Sequence, residues 1–184
     1  LTLVVNFFGG PGSGKSSLTG GLFYNLKTHH QVNCEMAREV AKQKVWSGQL
    51  KSLEDQDYIT ALQRQEIAVL VGQVDVVICD SPLLLGCIYA PSNYPQCFQD
   101  FTRWTWDQYN NLNFFVERTK PFDPAGRKHG EQESAAIGAS ILQLLQDYAV
   151  PYHVIQSDSV GTATEIVLEH LANQTTDLQD ISVK

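Results

Sequence analysis

The sequence predicts an open α/β fold: a parallel sheet with helices on both faces and a phosphate-binding loop at the carboxyl end of its first strand. Three observations carry that expectation. Gly9-Gly10-Pro11-Gly12-Ser13-Gly14-Lys15-Ser16 fits G-x-x-x-x-G-K-[ST] with no forced residue. It stands between the apolar run Leu3-Val4-Val5-Asn6-Phe7-Phe8, suited to a strand buried on both faces, and a segment where Leu18, Leu22 and Leu26 recur at helical spacing. Beyond it, short apolar runs alternate with helical patterns, and parallel strands in that order need right-handed crossovers through a helix.

The elements follow in order. After the first helix, Gln31-Val32-Asn33-Cys34-Glu35-Met36 reads as a second strand and Ala37 to Trp46 as a helix that Ser47-Gly48 breaks. Ser52, three residues before Asp55, supplies a capping signal for a long helix from about Glu54 to Val71, with Tyr58, Leu62, Ile67 and Val71 on its apolar side. Val74 to Asp80 is a buried strand closed by a carboxylate, and Pro82 to Pro95 a helix-and-loop region. Phe101 to Asn110 is helical, its Trp104, Trp106 and Tyr109 read as packing residues. Leu112 to Val116 is the fourth strand, and a breaker-rich stretch follows with Arg118, Lys120, Arg127 and Lys128. Ser134 to Tyr148 is helix, Tyr152 to Ile155 the fifth strand and Thr162 to Ala172 the closing helix, with a frayed tail expected from Gln174.

The loop's residue types suit a nucleoside triphosphate. Gly9, Gly12 and Gly14 permit the crowded backbone that turns consecutive N–H groups inward around a phosphate, and the helix that follows presents its positive end to the same anion. Gly10, Pro11, Gly12, Ser13, Gly14, Lys15, Ser16 and Ser17 form the expected nucleotide-binding set. Lys15 is placed to reach the β- and γ-phosphates, and the Ser16 hydroxyl to take a coordination position on Mg²⁺. In open parallel sheets ligands bind at the carboxyl ends of strands, where Glu35 and Asp80 also fall.

Composition bounds the remaining choices. At 184 residues the chain suits one domain, with roughly 70% of its unfolded surface buried. Hydrophobic residues at 43% and charged residues at 18% exclude wholesale disorder. No apolar run approaches the ~20 residues of a membrane span, and the N-terminal run leads into the glycine loop instead of a cleavage site, so a cytoplasmic protein is expected. The net charge of −7 gives no general attraction for a polyanion. Cys34, Cys79, Cys87 and Cys97 have no metal-like spacing and read as free core thiols.

The glycine loop, Glu35-Met36-Ala37-Arg38-Glu39, Asp80-Ser81-Pro82 and the Arg127 region together resemble P-loop kinases of the nicotinamide riboside kinase type. The nearest resemblance is to the kinase domain fused to the bacterial NAD regulator and to its short, often phage-encoded ATP-binding relatives. It implies a P-loop NTPase three-layer sandwich with strand order 2-3-1-4-5, a single kinase domain over residues 1–173, a lid at about 118–130 and a tail at 174–184. It also implies that Arg127, then Arg118, neutralises the transferring phosphoryl, and that Asp80 holds Mg²⁺ together with Ser16. Glu35 is the implied general base or acceptor-orienting acid. Arg38 is implied either as an acceptor ligand or as a salt-bridge partner of Glu35, and Gln63 as a reader of a base edge or carboxamide. One departure is that Ser-Pro-Leu-Leu-Leu follows Asp80, where many deoxynucleoside and thymidylate kinases carry an arginine.

These readings converge on a Mg-ATP-dependent kinase with a nucleoside or nucleotide-like small-molecule acceptor: nicotinamide riboside, a deoxynucleoside or a deoxynucleotide. A second reading keeps the apparatus and makes the acceptor a DNA hydroxyl, at a 5′ end or a hydroxymethylated base, with Lys42, Lys44 and Lys51 as its basic set. A third is a nucleotide-dependent switch or ATPase acting on a protein partner. A homodimer is open, and no membrane partner is expected.

Overall fold

The computed structural model describes residues 1–119 and 130–182, with the side chains of the closing helix described as far as Gln174. Five strands, β1 (Leu3–Phe8), β2 (Cys34–Ala37), β3 (Val76–Cys79), β4 (Asn110–Glu117) and β5 (His153–Gln156), form one sheet in the order β2-β3-β1-β4-β5. Every pairing is parallel. The helices are α1 (Lys15–Tyr24), α2 (Val40–Trp46), α3 (Gln56–Ala68), α4 (Leu85–Tyr89), α5 (Gln96–Asp107), α6 (Glu131–Asp147) and α7 (Val160–Ser182). Among the described residues none is long and apolar enough to cross a membrane.

Side-chain alternation along β1 builds two cores. Leu3, Val5 and Phe7 face α1 and α7, where Leu18, Leu22 and Val167 complete a fully buried layer. Val4 and Phe8 face the other way, onto Ile67 of α3, Leu84 beside α4, and Ile141 and Leu145 of α6. Each such leucine contributes roughly 1.5–3 kcal/mol through burial, so the glycine loop between β1 and α1 is held from both sides. Asn6, the one polar residue in β1, is buried because β4 answers it. Its Nδ2 donates to Asn111 Oδ1 at 2.9 Å and to Asn113 Oδ1 at 3.1 Å. Asn113 Nδ2 donates in turn to Pro151 O at 3.0 Å, a satisfied polar ladder across β1, β4 and the approach to β5.

Several sequence-based bounds shift, each for a local reason. Gln31 and Val32 do not pair: Gln31 has φ of 55° and Val32 N–H closes back on Leu26 O after a π turn over Asn25–His29, while the Asn33 backbone gives only its carbonyl, to the N–H groups of Asp75 and Val76. The second strand therefore starts at Cys34 and takes in Ala37, which had been expected in the helix. Ser52 does not cap α3, because its hydroxyl donates to Gln49 O at 2.7 Å within a 3₁₀ turn over Leu50–Glu54. Tyr94 Oη instead accepts the Gln56 N–H at 2.9 Å and donates to Asp57 Oδ1 at 2.9 Å. The buried side of α3 is Gln56, Ile59, Gln63 and Ile67, leaving Tyr58 exposed, so that face mixes amides with aliphatic groups.

Later elements differ less. Helix α5 begins at once after Pro95 and yields Asn110 to β4; Trp106 is buried, whereas Trp104 is exposed and stacks on Phe101 at 6.0 Å. Helix α7 continues through Ser182 instead of stopping at Ala172, so the expected tail from Gln174 is helical to that point. Of the thiols, Cys34 and Cys79 are buried as expected, Cys87 is half-buried and Cys97 is exposed. The expected lid lies mostly outside the described residues, and Arg127 lies wholly outside them.

Candidate functional site

The glycine loop is wedged between the ends of three other elements. Gly14 has φ of 96°, and a Cβ there would stand 2.5 Å from Ser157 Cβ, just past β5. Both conditions admit glycine alone. A Cβ on Gly10 would collide with the Ser134 carbonyl in the first turn of α6. Lys15 Nζ donates to Gly9 O at 2.7 Å and to Gly10 O at 3.1 Å, so its ammonium lies across the loop. The Ser13 hydroxyl is buried within the loop without a hydrogen-bond partner. No side chain caps α1, which leaves its first amides to the loop's interior.

Ser16 Oγ donates to Asp80 Oδ2 at 2.9 Å, so the motif hydroxyl and the carboxylate that closes β3 meet. The register explains the meeting: Asn6 of β1 lies level with Cys79, which brings the first turn of α1 over Asp80. Two hard oxygens at that separation fit a small divalent cation such as Mg²⁺, which takes one or two protein oxygens beside phosphate and water. Lys42 Nζ, from α2, donates to the same Ser16 Oγ at 3.3 Å.

Beside this pair a cleft of about 600 Å³ runs between the loop and helices α2, α3 and α4. Its apolar walls include Trp46, Ile59, Leu83 and Tyr89, and its polar groups are Glu39, Gln56, Thr60, Gln63 and Ser81. Such a lining suits a small molecule with a flat apolar body and a few polar edges. Burial pushes the Tyr89 phenol up, and the Glu39 and Glu133 carboxylates add to that effect. Gln56 Nε2 donates to Leu53 O at 2.7 Å. Gln63 is committed to the protein: its Oε1 accepts the Val40 N–H at 3.1 Å and so pins the start of α2, immediately after Glu39.

The sequence-predicted site residues divide in space. Lys15, Ser16 and Asp80 converge, and Gln63 lines their cleft. Glu35 lies mid-strand, level with Val77, and its carboxylate pairs with Lys27 at 2.7 Å. That contact holds the Lys27 ammonium above its usual range and makes Lys27, not Arg38, the salt-bridge partner of Glu35. Glu35 and the exposed Arg38 line a separate groove of about 890 Å³ that meets the cleft at Ser16, Glu39, Lys42, Trp46 and Asp80. Arg118 turns toward the back of the loop, where its guanidinium donates to Pro11 O, Ser134 Oγ and Glu131 Oε1.

Glu39 is the residue that the sequence reading passed over. The sequence alone ends the second strand at Met36, which makes Glu35 the acid nearest its carboxyl end. With β2 running to Ala37, opposite Cys79, the acid beyond that end is Glu39. Gln56 was passed over too, and Lys42 was named only in the basic set for a DNA acceptor; the packing of α2 and α3 against the loop singles out both.

A family model described as an AAA domain matches residues 4–162. Among solved structures, deoxyadenosine kinase from M. mycoides with bound dATP is 17% identical and covers 92% of this chain and 99% of that chain, with a TM-score of 0.55. The same enzyme with products dCMP and a flexible dCDP bound is 14% identical, at the same coverage and TM-score. At these identities the likeness is one of fold. No curated protein matches.

Proposed function

The chain belongs to the AAA domain family matched over residues 4–162, and from that premise we propose that it is a Mg-ATP-dependent kinase whose acceptor is a nucleoside or nucleotide-like small molecule. The observation that carries the reading is that Ser16 and Asp80, on the phosphate side, line the same cleft as Trp46, Ile59 and Tyr89, on the apolar side. A donor phosphate at the loop and an acceptor in the cleft then share one boundary, as in-line transfer requires. The deoxyadenosine kinase of similar fold, with dATP or with dCMP and dCDP bound, lends the acceptor class its support.

In this reading Lys15 leaves the loop carbonyls for the β- and γ-phosphates, and Ser16 and Asp80 hold the divalent cation, which when bound neutralises the charge of the phosphoryl group. Glu39, past the end of β2 and lining the cleft, takes the acceptor-hydroxyl role that the sequence had given to Glu35. Gln56 presents its amide to the acceptor base or carboxamide. Residues 118–130 are the lid, with Arg127 its phosphate-neutralising arginine and Arg118 its anchor on Pro11 and Ser134. Residues 1–173 act as a single kinase unit.

The test is ADP release from Mg-ATP across nicotinamide riboside, deoxynucleosides, ribonucleosides and their monophosphates, with product mass as confirmation. One acceptor that accelerates release and gains a single phosphoryl supports the reading. Slow release that no acceptor accelerates overturns it in favour of a nucleotide-dependent ATPase.

A further inference from the structure

Helix α2 turns one stripe, Glu39, Lys42 and Trp46, toward both the cleft and the neighbouring groove. The start of that helix is fixed by the bond from Val40 N–H to the buried Gln63, while the lysine stem is long and mobile. At its tip Lys42 Nζ donates to Ser16 Oγ, which donates to Asp80 Oδ2, so ammonium, hydroxyl and carboxylate form one chain at the expected metal position. With a divalent cation on those two oxygens, the Ser16 lone pair would no longer be open to Lys42, whose ammonium would be repelled. The displaced ammonium would stay tethered to α2, one helical turn from Glu39, beside the place where the glycine loop would present a phosphoryl group in transfer.

We propose that Lys42 is a catalytic cation of the transfer step, which rests beside Ser16 in the nucleotide-free protein and contacts the equatorial oxygens of the transferring phosphoryl once metal and nucleotide bind. The inference rests on the kinase reading above. No proton moves through Lys42; it offsets charge that develops as the bond from the γ-phosphorus to the bridging oxygen breaks and the bond to the acceptor oxygen forms. Lys15 approaches the same group from the loop, so the two lysines flank it. Arg118 faces away, toward Pro11 and Ser134.

The experiment uses ADP, Mg²⁺ and aluminium fluoride, whose planar complex mimics the phosphoryl in transfer and needs no knowledge of the acceptor. Lys42→Met should weaken capture of that complex ~100-fold, while binding of a non-hydrolysable ATP analogue stays within about threefold of the parent chain. Lys42→Arg should restore capture to within about tenfold of the parent, because the charge is kept while its geometry changes. Equal losses for both ligands in Lys42→Met would make Lys42 a ground-state or structural contact and overturn the proposal. Unchanged capture would overturn it too, as would a parent chain that captures no fluoride complex. A parent chain that captures the complex yet transfers to no acceptor would instead remove the kinase reading and leave Lys42 to be judged by the variants.

Discussion

Replacing Gln63 by leucine separates two accounts of the same side chain. The sequence offered Gln63 as a reader of the acceptor, whereas its Oε1 accepts the Val40 N–H at 3.1 Å in a fully packed setting. Leucine keeps much of the volume but leaves the Val40 N–H buried without an acceptor, at a cost of about 1–3 kcal/mol. For a chain of this size each kcal/mol lowers the melting temperature by roughly 2–4 °C, so a fall of about 2–12 °C is expected by calorimetry or circular dichroism. The loosened start of α2 also carries Glu39, so turnover should fall more than acceptor affinity. An unchanged melting temperature with an acceptor KM raised more than about tenfold would refute this reasoning and return Gln63 to the substrate.

Three further outcomes follow from the same geometry. Lys15→Ala should abolish nucleotide-dependent turnover, at least ~100-fold, with the circular dichroism spectrum intact, and normal turnover would sink the loop assignment. Glu39→Gln should lower kcat at least ~100-fold with little change in ATP affinity, whereas Glu35→Gln, in an exposed pair with Lys27, should change it less than about threefold; the reverse order would restore Glu35 as the base. Complete burial pushes the Cys79 thiol up to about 12, from an ordinary value of 9.0. Between those limits the unfolded chain releases a proton that the native chain keeps, so native stability is full below pH 9 and falls as pH rises toward 12. The slope reaches about 1.4 kcal/mol per pH unit for one thiol, and urea titrations of Cys79→Ala against the parent should differ by that slope; parallel curves would remove Cys79 as its source.

What the sequence made legible was whatever depends on near neighbours in the chain. The motif, the apolar runs of β1 and β3 and the carboxylate after Cys79 announce themselves within a few residues, and alternation of strand with helix limits the sheet to few topologies. The strand order came from resemblance to a family. Less legible were contacts that close over long separations. Nothing near Ser52 reveals that Tyr94 supplies the cap of α3, and nothing near Asn6 reveals Asn111 and Asn113. Another such closure is the return of Val32 N–H to Leu26 O after the π turn over Asn25–His29, which shifts the second strand to Cys34–Ala37. Glu39 was visible as a letter in Arg38-Glu39-Val40, but its place at the strand's end depended on that shift.

The most direct test of the central claim follows the γ-phosphoryl itself. With γ-labelled ATP, Mg²⁺ and the acceptor that best accelerates ADP release, the account predicts that most of the label appears on the acceptor hydroxyl or phosphate. Glu39→Gln should then lose transfer more steeply than it loses hydrolysis. Label found as inorganic phosphate alone, at a rate indifferent to every acceptor, would contradict the account and make the cleft beside Ser16 and Asp80 something other than an acceptor site.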